Sequence, residues 1–348
     1  MLKKFALIAV STLALSACGD QGATGASAAR DQIKVVGSST VYPFSTAVAE
    51  QFQHKNTGFK APVIESTGTG AGMKQFCAGL GATHPDIANA SRRIKKTEFD
   101  DCQKNGVKDV VEVQVGIDGL AFVESVKGPA MKLTPEDIYK ALAANPYGKP
   151  NTTKTWKDVN AALPAIPIQV YGPPSTSGTR DALAELILEK GCDANPEMKA
   201  LKSENADKHK DLCTRVREDG AYVDSGENDN LIVQKLGANP NAIGVLGYSF
   251  LEENLATVRG IELNNVKPTY DTIADFSYPG ARPLYIYVKA GHLNAIKGLR
   301  EYVGEWASAW NTGGYLAKRG LIASPEAVRK ANADTVANMT PLDGASLK

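Results

Sequence analysis

The chain has 348 residues, and its 39 lysines and arginines nearly balance 38 aspartates and glutamates, for a formal net charge of +1. Because nucleic acid is bound largely through a surplus of positive charge, this balance argues against a nucleic-acid partner. The length favours two domains over one.

The first 18 residues have the pattern of an export signal. Lys3 and Lys4 precede an apolar run over 5–15 that is too short to cross a bilayer, and small residues stand directly before Cys18. This ending resembles the lipobox of bacterial lipoproteins, in which the cysteine is lipidated. The alternative is an ordinary signal cleaved elsewhere, with Cys18 discarded. Residues 19–30 are small and polar, which predicts a flexible tether between a membrane anchor and an extracytoplasmic body.

The four remaining cysteines form two sequence-local pairs. In an oxidising compartment they are most simply the disulfides Cys77–Cys102 and Cys192–Cys213. Free buried thiols and a metal site are the alternatives. A metal site is the least favoured, because no C-x-x-C spacing or nearby histidine supplies ligands.

Strands and helices alternate along the body. Strands are predicted at 33–37, 61–65 and 86–91, and helices at 42–52 and 72–80. This alternation predicts an α/β fold whose sheets are mainly parallel and flanked by helices.

The middle of the chain repeats the pattern. Thr134 and Pro135 have the residue types of a helix cap and a first helical position, which predicts a helix over 134–144. Strands are predicted at 166–172 and from 242, and an amphipathic helix at 293–310.

Two β-type segments predict crossings between the domains. The run 110–125 contains Gly116 and Gly119, which a buried central strand disfavours, and 281–291 is a second long strand. Two crossings imply two lobes, the first built from 31–115 plus 285–348 and the second from 116–284. The hinge is expected near 115–119 and 281–285, with the ligand site between the lobes.

Three strand-to-helix turns share one composition. They read "GSSTVYPFS" (37–45), "STGTGAGMK" (66–74) and "STSGTRDAL" (175–183). The first turn of a helix offers unpaired N–H groups and the positive end of its dipole, and hydroxyls add further donors. One hydroxyl suffices for an N-cap, which is the alternative explanation at each turn. The surplus at all three predicts a site for a tetrahedral oxyanion.

Two arginines lie beside these turns. Arg92 follows a strand in "ANASRRIKK" and could point into the cleft as a two-pronged guanidinium; the alternative is a solvated basic face. Arg180 lies in the first turn of the "SGTRDAL" helix, where a cation is unfavourable unless an anion compensates.

Several motifs together resemble the periplasmic phosphate-binding proteins of bacterial phosphate-specific ABC transporters, the PstS family. They are "GSSTVYP", "GTGAGMKQF", "DIANASR", "SGT" before a helix, "ENDNLIVQKLGANPNAIGVLGYSFLEEN" and "YPGARPLYIYVK", spread over 31–348. The resemblance implies a two-lobed Venus-flytrap fold with two hinge crossings. It also implies a protein that captures inorganic phosphate and delivers it to a membrane permease.

The resemblance places ligand contacts on Ser91 and on six further positions of this sequence. Ser91 stands where better-known members have an aspartate, and Pro173 stands where they have an arginine. Arg92 is the candidate for the missing charge, and Glu227 or Asp229 for the missing acceptor. Ser39 and Arg180 are further candidates. The remaining contacts fall on Thr40, Val41, Thr69, Ser177, Gly178 and Thr179.

Other functions remain open from the sequence. The ligand could be another tetrahedral oxyanion such as sulfate, because Ser91 can either donate or accept a hydrogen bond. A phosphate-ester hydrolase would use Ser177 as its nucleophile, but no G-x-S-x-G motif or nearby histidine supports it. We expect a monomeric receptor without catalytic activity, cofactor or metal.

Overall fold

The computed structural model describes residues 30–226 and 228–347. The predicted signal, Cys18 and nearly all of the predicted tether lie outside the described residues. No helix in the part described is long and apolar enough to cross a membrane. The strands are β1 Lys34–Gly37, β2 Val63–Ser66, β3 Ile87–Ala90, β4 Val110–Ser125, β5 Lys132–Leu133, β6 Val170–Gly172, β7 Tyr222–Asp224, β8 Ile243–Gly247, β9 Val258–Gly260, β10 Glu262–Leu263 and β11 Ala281–Lys289.

Helices flank these strands, and one of them changes its winding. The helical segment over residues 178–192 winds as a π-helix at Leu183–Leu188 and as an α-helix on either side. The helices are α1 Tyr42–Lys55, α2 Thr69–Phe76, α3 Lys96–Lys104, α4 Pro135–Leu142, α5 Trp156–Val159, α6 Gly178–Ala182, α7 Glu189–Cys192, α8 Pro196–Glu204, α9 Ala206–Thr214, α10 Asp229–Ala238, α11 Tyr248–Glu253, α12 Tyr270–Ala274, α13 Leu299–Ala309 and α14 Glu326–Asn338.

Two groups of parallel strands are joined by two long antiparallel strands. In one group β1 pairs in parallel with both β2 and β3, and in the other β6 pairs in parallel with β7 and β8. The strands β4 and β11 pair with each other, and they join the groups because β11 pairs with β3 and β4 pairs with β8. The prediction of a mixed α/β, two-domain fold is confirmed. The sheets are parallel only away from these long strands. We call the part around β1–β3 lobe I and the part around β6–β9 lobe II.

The predicted crossings are β4 and β11. Their register shifts between Leu284 and Tyr285, which pair with Gly116 and Gln114, so Val115 is an extra residue in β4. Such a bulge bends a strand and increases its twist. The buried apolar residues also divide at this level. The lobe I cluster includes Val115 of β4 and Leu284 of β11. The lobe II cluster includes Ile117 and Ala281 of the same two strands, together with Ile322.

The glycines of β4 leave room for a third segment that also lies between the lobes. A Cβ on Gly116 would lie 2.6 Å from Leu321 Cδ1, and one on Gly119 would lie 2.7 Å from Ile322 Cδ1. Ile117 exchanges backbone hydrogen bonds with Ile322. The sequence predicted two crossings, and the C-terminal segment also packs at the junction, where the two glycines leave space for its side chains.

Both predicted disulfides are present, Cys77–Cys102 in lobe I and Cys192–Cys213 in lobe II. The expectation that no histidine lies near the cysteines is wrong. His209 is buried, and a ring nitrogen lies within 4.8 Å of the sulfurs of Cys192 and Cys213. The sequence did carry this signal, since His209 precedes Cys213 by four residues on α9, a spacing that places both side chains on one face of a helix.

Element boundaries follow the caps. Thr134 caps α4 by accepting a hydrogen bond from the N–H of Asp137, as predicted. The predicted helix 293–310 begins only at Leu299, because Gly298 before it adopts a left-handed conformation. Arg30, assigned to the tether, is held against lobe I by a 2.6 Å contact with the buried carboxylate of Asp86. Arg30 therefore packs with the folded body.

Candidate oxyanion-binding site

The first loop, residues 38–41, connects β1 to α1 at the edge of the lobe I sheet. No side chain caps α1 at its cap residue, Val41. The N–H of Tyr42 donates to the carbonyl of Ser38 at 3.0 Å. Ser38, Thr40 and Val41 are all buried. Ser38 Oγ accepts from the N–H of Val41 at 3.4 Å, so the hydroxyls of Ser39 and Thr40 are the ones not engaged at the start of this helix.

The second loop and the end of β3 are joined through two hydroxyls. Ser91 donates its backbone N–H to Thr69 Oγ1 at 3.1 Å, and the two hydroxyl oxygens are 3.1 Å apart. Because β1, β2 and β3 are parallel neighbours, the loops that follow them meet at one edge of the sheet. The structure thus brings Thr69 and Ser91 together, as the sequence placed them.

The third loop, taken as residues 173–179, leads from β6 into the first residues of α6. Ser177 is the N-cap, and its hydroxyl accepts from the N–H of Thr179 at 3.2 Å. The simple capping explanation therefore applies here, and it applies to one of the predicted ligand residues. A serine hydroxyl that accepts one bond still has its own hydrogen to donate.

The first and third loops meet across the cleft. A Cβ on Gly178 would lie 2.9 Å from Thr40 Cα, so the two backbones are in close contact. Ser39 donates a hydrogen bond to the Asp181 carboxylate of lobe II. The guanidinium of Arg282 donates to Thr40 Oγ1 at 2.7 Å. The lobes are closed on each other in this structure, with predicted ligand residues of both at the contact.

Arg92 is engaged by an acid of its own lobe. Its guanidinium makes two hydrogen bonds to the Glu98 carboxylate, at 2.9 and 2.7 Å. The bond to Glu98 raises the pKa of Arg92, which stays charged but largely neutralised. The expected free two-pronged guanidinium is not what the structure shows, because Glu98 in the first turn of α3 binds it.

Arg180 stacks on an aromatic ring of lobe II. Its guanidinium carbon lies 4.2 Å from the centre of the Tyr222 ring. Tyr222 donates its hydroxyl to the carbonyl of Pro173 at 2.7 Å, and burial raises its pKa to about 12. A cation is thus held beside Pro173, the position where the family resemblance leads one to expect an arginine.

The two predicted acceptors have different outcomes. Glu227 lies outside the described residues. Asp229 is buried at the start of α10, and its carboxylate accepts from the N–H of Gly247 at 3.1 Å. Asn228 caps the same helix by accepting a hydrogen bond from the N–H of Asn230.

Sequence reasoning missed Arg282, which carries the buried charge nearest to Thr40. Only 4 % of it is exposed, and it also binds the carboxylates of Asp118 and Glu185. It was read only as part of a crossing strand, "ARPLYIYVK", and its partners are 97 to 242 residues away in the chain. A charged residue within a buried strand was the available signal.

The chain resembles known proteins over most of its length. Residues 22–309 match the family model described as a PBP superfamily domain. The protein SphX of Synechococcus elongatus is 34% identical over 76% of this chain and 69% of its own length. The phosphate-binding protein PstS of Staphylococcus saprophyticus is 31% identical over 84% of this chain and 81% of its own.

A solved structure agrees with these relatives. A possible phosphate-binding protein from Planctomyces limnophilus superimposes with a TM-score of 0.71 at 29% identity, and the match covers 88% of this chain and 98% of that one. The chain belongs to the PBP superfamily and, within it, to the PstS family of phosphate-binding proteins.

Proposed function

We propose that this protein captures inorganic phosphate between its lobes and delivers it to the membrane permease of an ABC importer. The observation that carries the proposal is the meeting of the first and third loops, Thr40 against Gly178, at the closed cleft. Both loops end at helix starts, where backbone N–H groups and hydroxyls favour an anion. The relatives named as phosphate-binding proteins support phosphate as that anion.

The proposed ligand contacts are those that the sequence placed at the three loops. Ser39, Thr40 and Val41 lie on one side of the cleft with Thr69 and Ser91, and the third-loop trio lies opposite. Arg92 and Arg180 supply charge at the margins, one tempered by Glu98 and the other held on Tyr222. Donors and helix dipoles contribute most of the binding because neither guanidinium is a free cation. The trio is Ser177, Gly178 and Thr179.

The two lobes close around residues 115–119 and 281–285. The bulge at Val115 and the division of the apolar clusters at this level support the boundaries 31–115 plus 285–348 for lobe I and 116–284 for lobe II. Hinge motion at a few strand residues is a common way for two lobes to close on a ligand.

The cellular setting completes the proposal. The protein is exported, anchored to the membrane through lipid on Cys18, and works as a monomer that hands its ligand on without turnover. The pattern of residues 1–18 and the tether composition support the anchor. Metabolic labelling with a fatty acid tests it, since a Cys18→Ser protein should carry no label.

Calorimetric titration of the ligand-stripped protein with phosphate and with sulfate tests the ligand. We expect saturable phosphate binding that equimolar sulfate does not displace, and no release of product from a phosphate ester. Displacement by sulfate at a comparable concentration would assign the site to a broader class of oxyanion. Turnover of an ester that Ser177→Ala abolishes would instead show a hydrolase.

A further inference from the structure

Arg282 holds three partners at the junction of the lobes. We propose that it is a positioning residue that latches the closed cleft, by fixing the Thr40 hydroxyl as a hydrogen-bond donor toward the bound anion. This proposal rests on the proposed function, because the anion is taken to be the phosphate of that site.

Arg282 is fixed in place before it reaches lobe I. It is the register partner of Asp118 on the neighbouring strand, and its Nε donates to the Asp118 carboxylate at 3.0 Å. Its Nη1 donates to Glu185 at 2.6 Å, on the helix that the third loop begins. Two carboxylates therefore orient a guanidinium that is 4 % exposed, and they compensate its buried charge.

The third hydrogen bond of Arg282 determines what Thr40 can do. Nη2 lies 2.7 Å from Thr40 Oγ1, and a guanidinium can only donate. Thr40 Oγ1 must therefore be the acceptor in this bond, and its own hydrogen is left to donate elsewhere. A hydroxyl that is already accepting from a cation is also a stronger donor to an anion.

The same bond joins the lobes. Thr40 belongs to the first loop of lobe I, whereas Asp118 and Glu185 hold Arg282 on the lobe II side. Opening the cleft separates Thr40 from Arg282 and also separates Ser39 from Asp181. Closure thus forms a charge-assisted hydrogen bond that the open state lacks, so the latch should act mainly on release of the ligand.

Phosphate release from the full protein tests the latch. We expect Arg282→Gln to speed release of radiolabelled phosphate by about 10- to 100-fold, as the loss of a hydrogen bond to a charged group implies, with a much smaller change in the association rate. Arg282→Lys should recover only part of the loss, because it keeps the positive charge but its single ammonium lacks the spread donors of the guanidinium.

A milder variant guards against a folding defect. Glu185 is 56% exposed, so Glu185→Gln should leave the fold intact and speed release by about three- to fivefold through a less well-held guanidinium. Glu204→Gln, at an exposed position at the end of α8, makes the same chemical change away from the cleft and should leave release unchanged.

A double-mutant cycle isolates the bond itself. Thr40→Val and Arg282→Gln together should release phosphate no faster than the worse single variant, because both remove one interaction. Fully additive effects, or an unchanged release rate in a folded Arg282→Gln protein, would overturn the latch.

If the unmutated protein fails to bind phosphate, the proposed function fails instead. The shape of the ligand-free protein in X-ray scattering then still tests the latch, since Arg282→Gln should enlarge its radius of gyration, and an unchanged radius would count against the latch.

Discussion

The site contains two kinds of hydroxyl, and they differ in what holds them. Thr69 and Ser91 bond each other within lobe I, so their arrangement does not depend on lobe II. Ser39 and Thr40 instead bond Asp181 and Arg282 across the cleft. The first pair is preorganised before the cleft closes, whereas the second takes up its geometry on closure. Substitutions in the two regions should therefore weaken binding in different ways.

The largest effect is expected where the lobes touch backbone to backbone. In Gly178→Ala the new methyl would lie 2.9 Å from Thr40 Cα, and neither backbone can move aside without reopening the cleft. We expect phosphate affinity to fall by about 100-fold, toward the upper end of the cost of overpacking a tight contact. Calorimetry measures the affinity, and X-ray scattering with saturating phosphate should show an open protein.

Gly70→Ala is the matched control for this change. Gly70 lies in α2 next to Thr69, and a Cβ there would meet no atom within 4 Å. Its affinity and shape should stay close to those of the unmutated protein. Equal losses in both variants would mean that the lobes do not close through the Gly178 contact.

Removing a hydroxyl from each region tests the comparison directly. Thr40→Val and Thr69→Val should each lower affinity by about 10- to 100-fold, the range for losing a hydrogen bond to a charged group. Thr40→Val should do so mainly by speeding release, because it also removes the acceptor for Arg282. Stopped-flow kinetics with a phosphate-displacement assay separates the two rates.

Thr69→Val should leave the closed shape unchanged, since its partner Ser91 is in the same lobe. Thr69→Ser keeps the hydroxyl and should bind nearly as well as the unmutated protein. If both valine variants accelerated release equally, the distinction between preorganised and closure-dependent hydroxyls would be lost.

Local patterns predicted most of this architecture, and long-range contacts account for what they missed. The turns around Thr40, Thr69 and Ser177 were found because hydroxyls and glycines recur where strands meet helices. Arg282 was missed because its partners Asp118, Glu185 and Thr40 are distant in the chain and only the folded structure brings them together. No periodic pattern of residues along the sequence predicts such a contact.

Arg92 was assigned its role from its position after a strand, and the structure gives it a partner that this position did not indicate. The position of an arginine at a strand end indicates where its side chain points only if no acidic side chain within reach binds it. Glu98 does so, six residues further along the chain. The bridge between Ile117 and Ile322 was likewise not predicted, because a single bridge has no strand-length pattern in the sequence.

Removing the charge of Arg92, at the margin of the site, should lower phosphate affinity less than removing either hydroxyl. Because Glu98 largely neutralises it, Arg92→Gln should weaken phosphate binding by only about threefold, in line with exposed ion pairs. Glu98→Gln should strengthen binding by a similar factor, since it leaves the guanidinium uncompensated. Both effects should shrink as salt is added.

Arg93→Gln is the control for this pair. Arg93 is the next residue and makes the same kind of bond, to Glu112. Its replacement should leave phosphate affinity unchanged. A loss of 100-fold or more in Arg92→Gln would instead make Arg92 a direct ligand and place it among the preorganised groups.

The smallest expected effect is the contribution of the Arg92–Glu98 pair to stability. Burial raises the pKa of Glu98, but the bonds from Arg92 and from the N–H of Lys95 outweigh it, and the pKa lies below its usual 4.5. Folding therefore favours the ionised carboxylate. The contribution is fully present above pH 4.5 and is lost as the pH falls through the lower folded-state pKa. Arg92 and Glu98 are 35% and 20% exposed, so the contribution should stay below about 1 kcal/mol.

Urea unfolding of the unmutated and Glu98→Gln proteins at pH 7 and near pH 3 measures this contribution. The difference in unfolding free energy should favour the unmutated protein at pH 7 and diminish toward pH 3. A difference that grew on acidification would mean that the carboxyl is held protonated, and Arg92 would then be free to face the cleft.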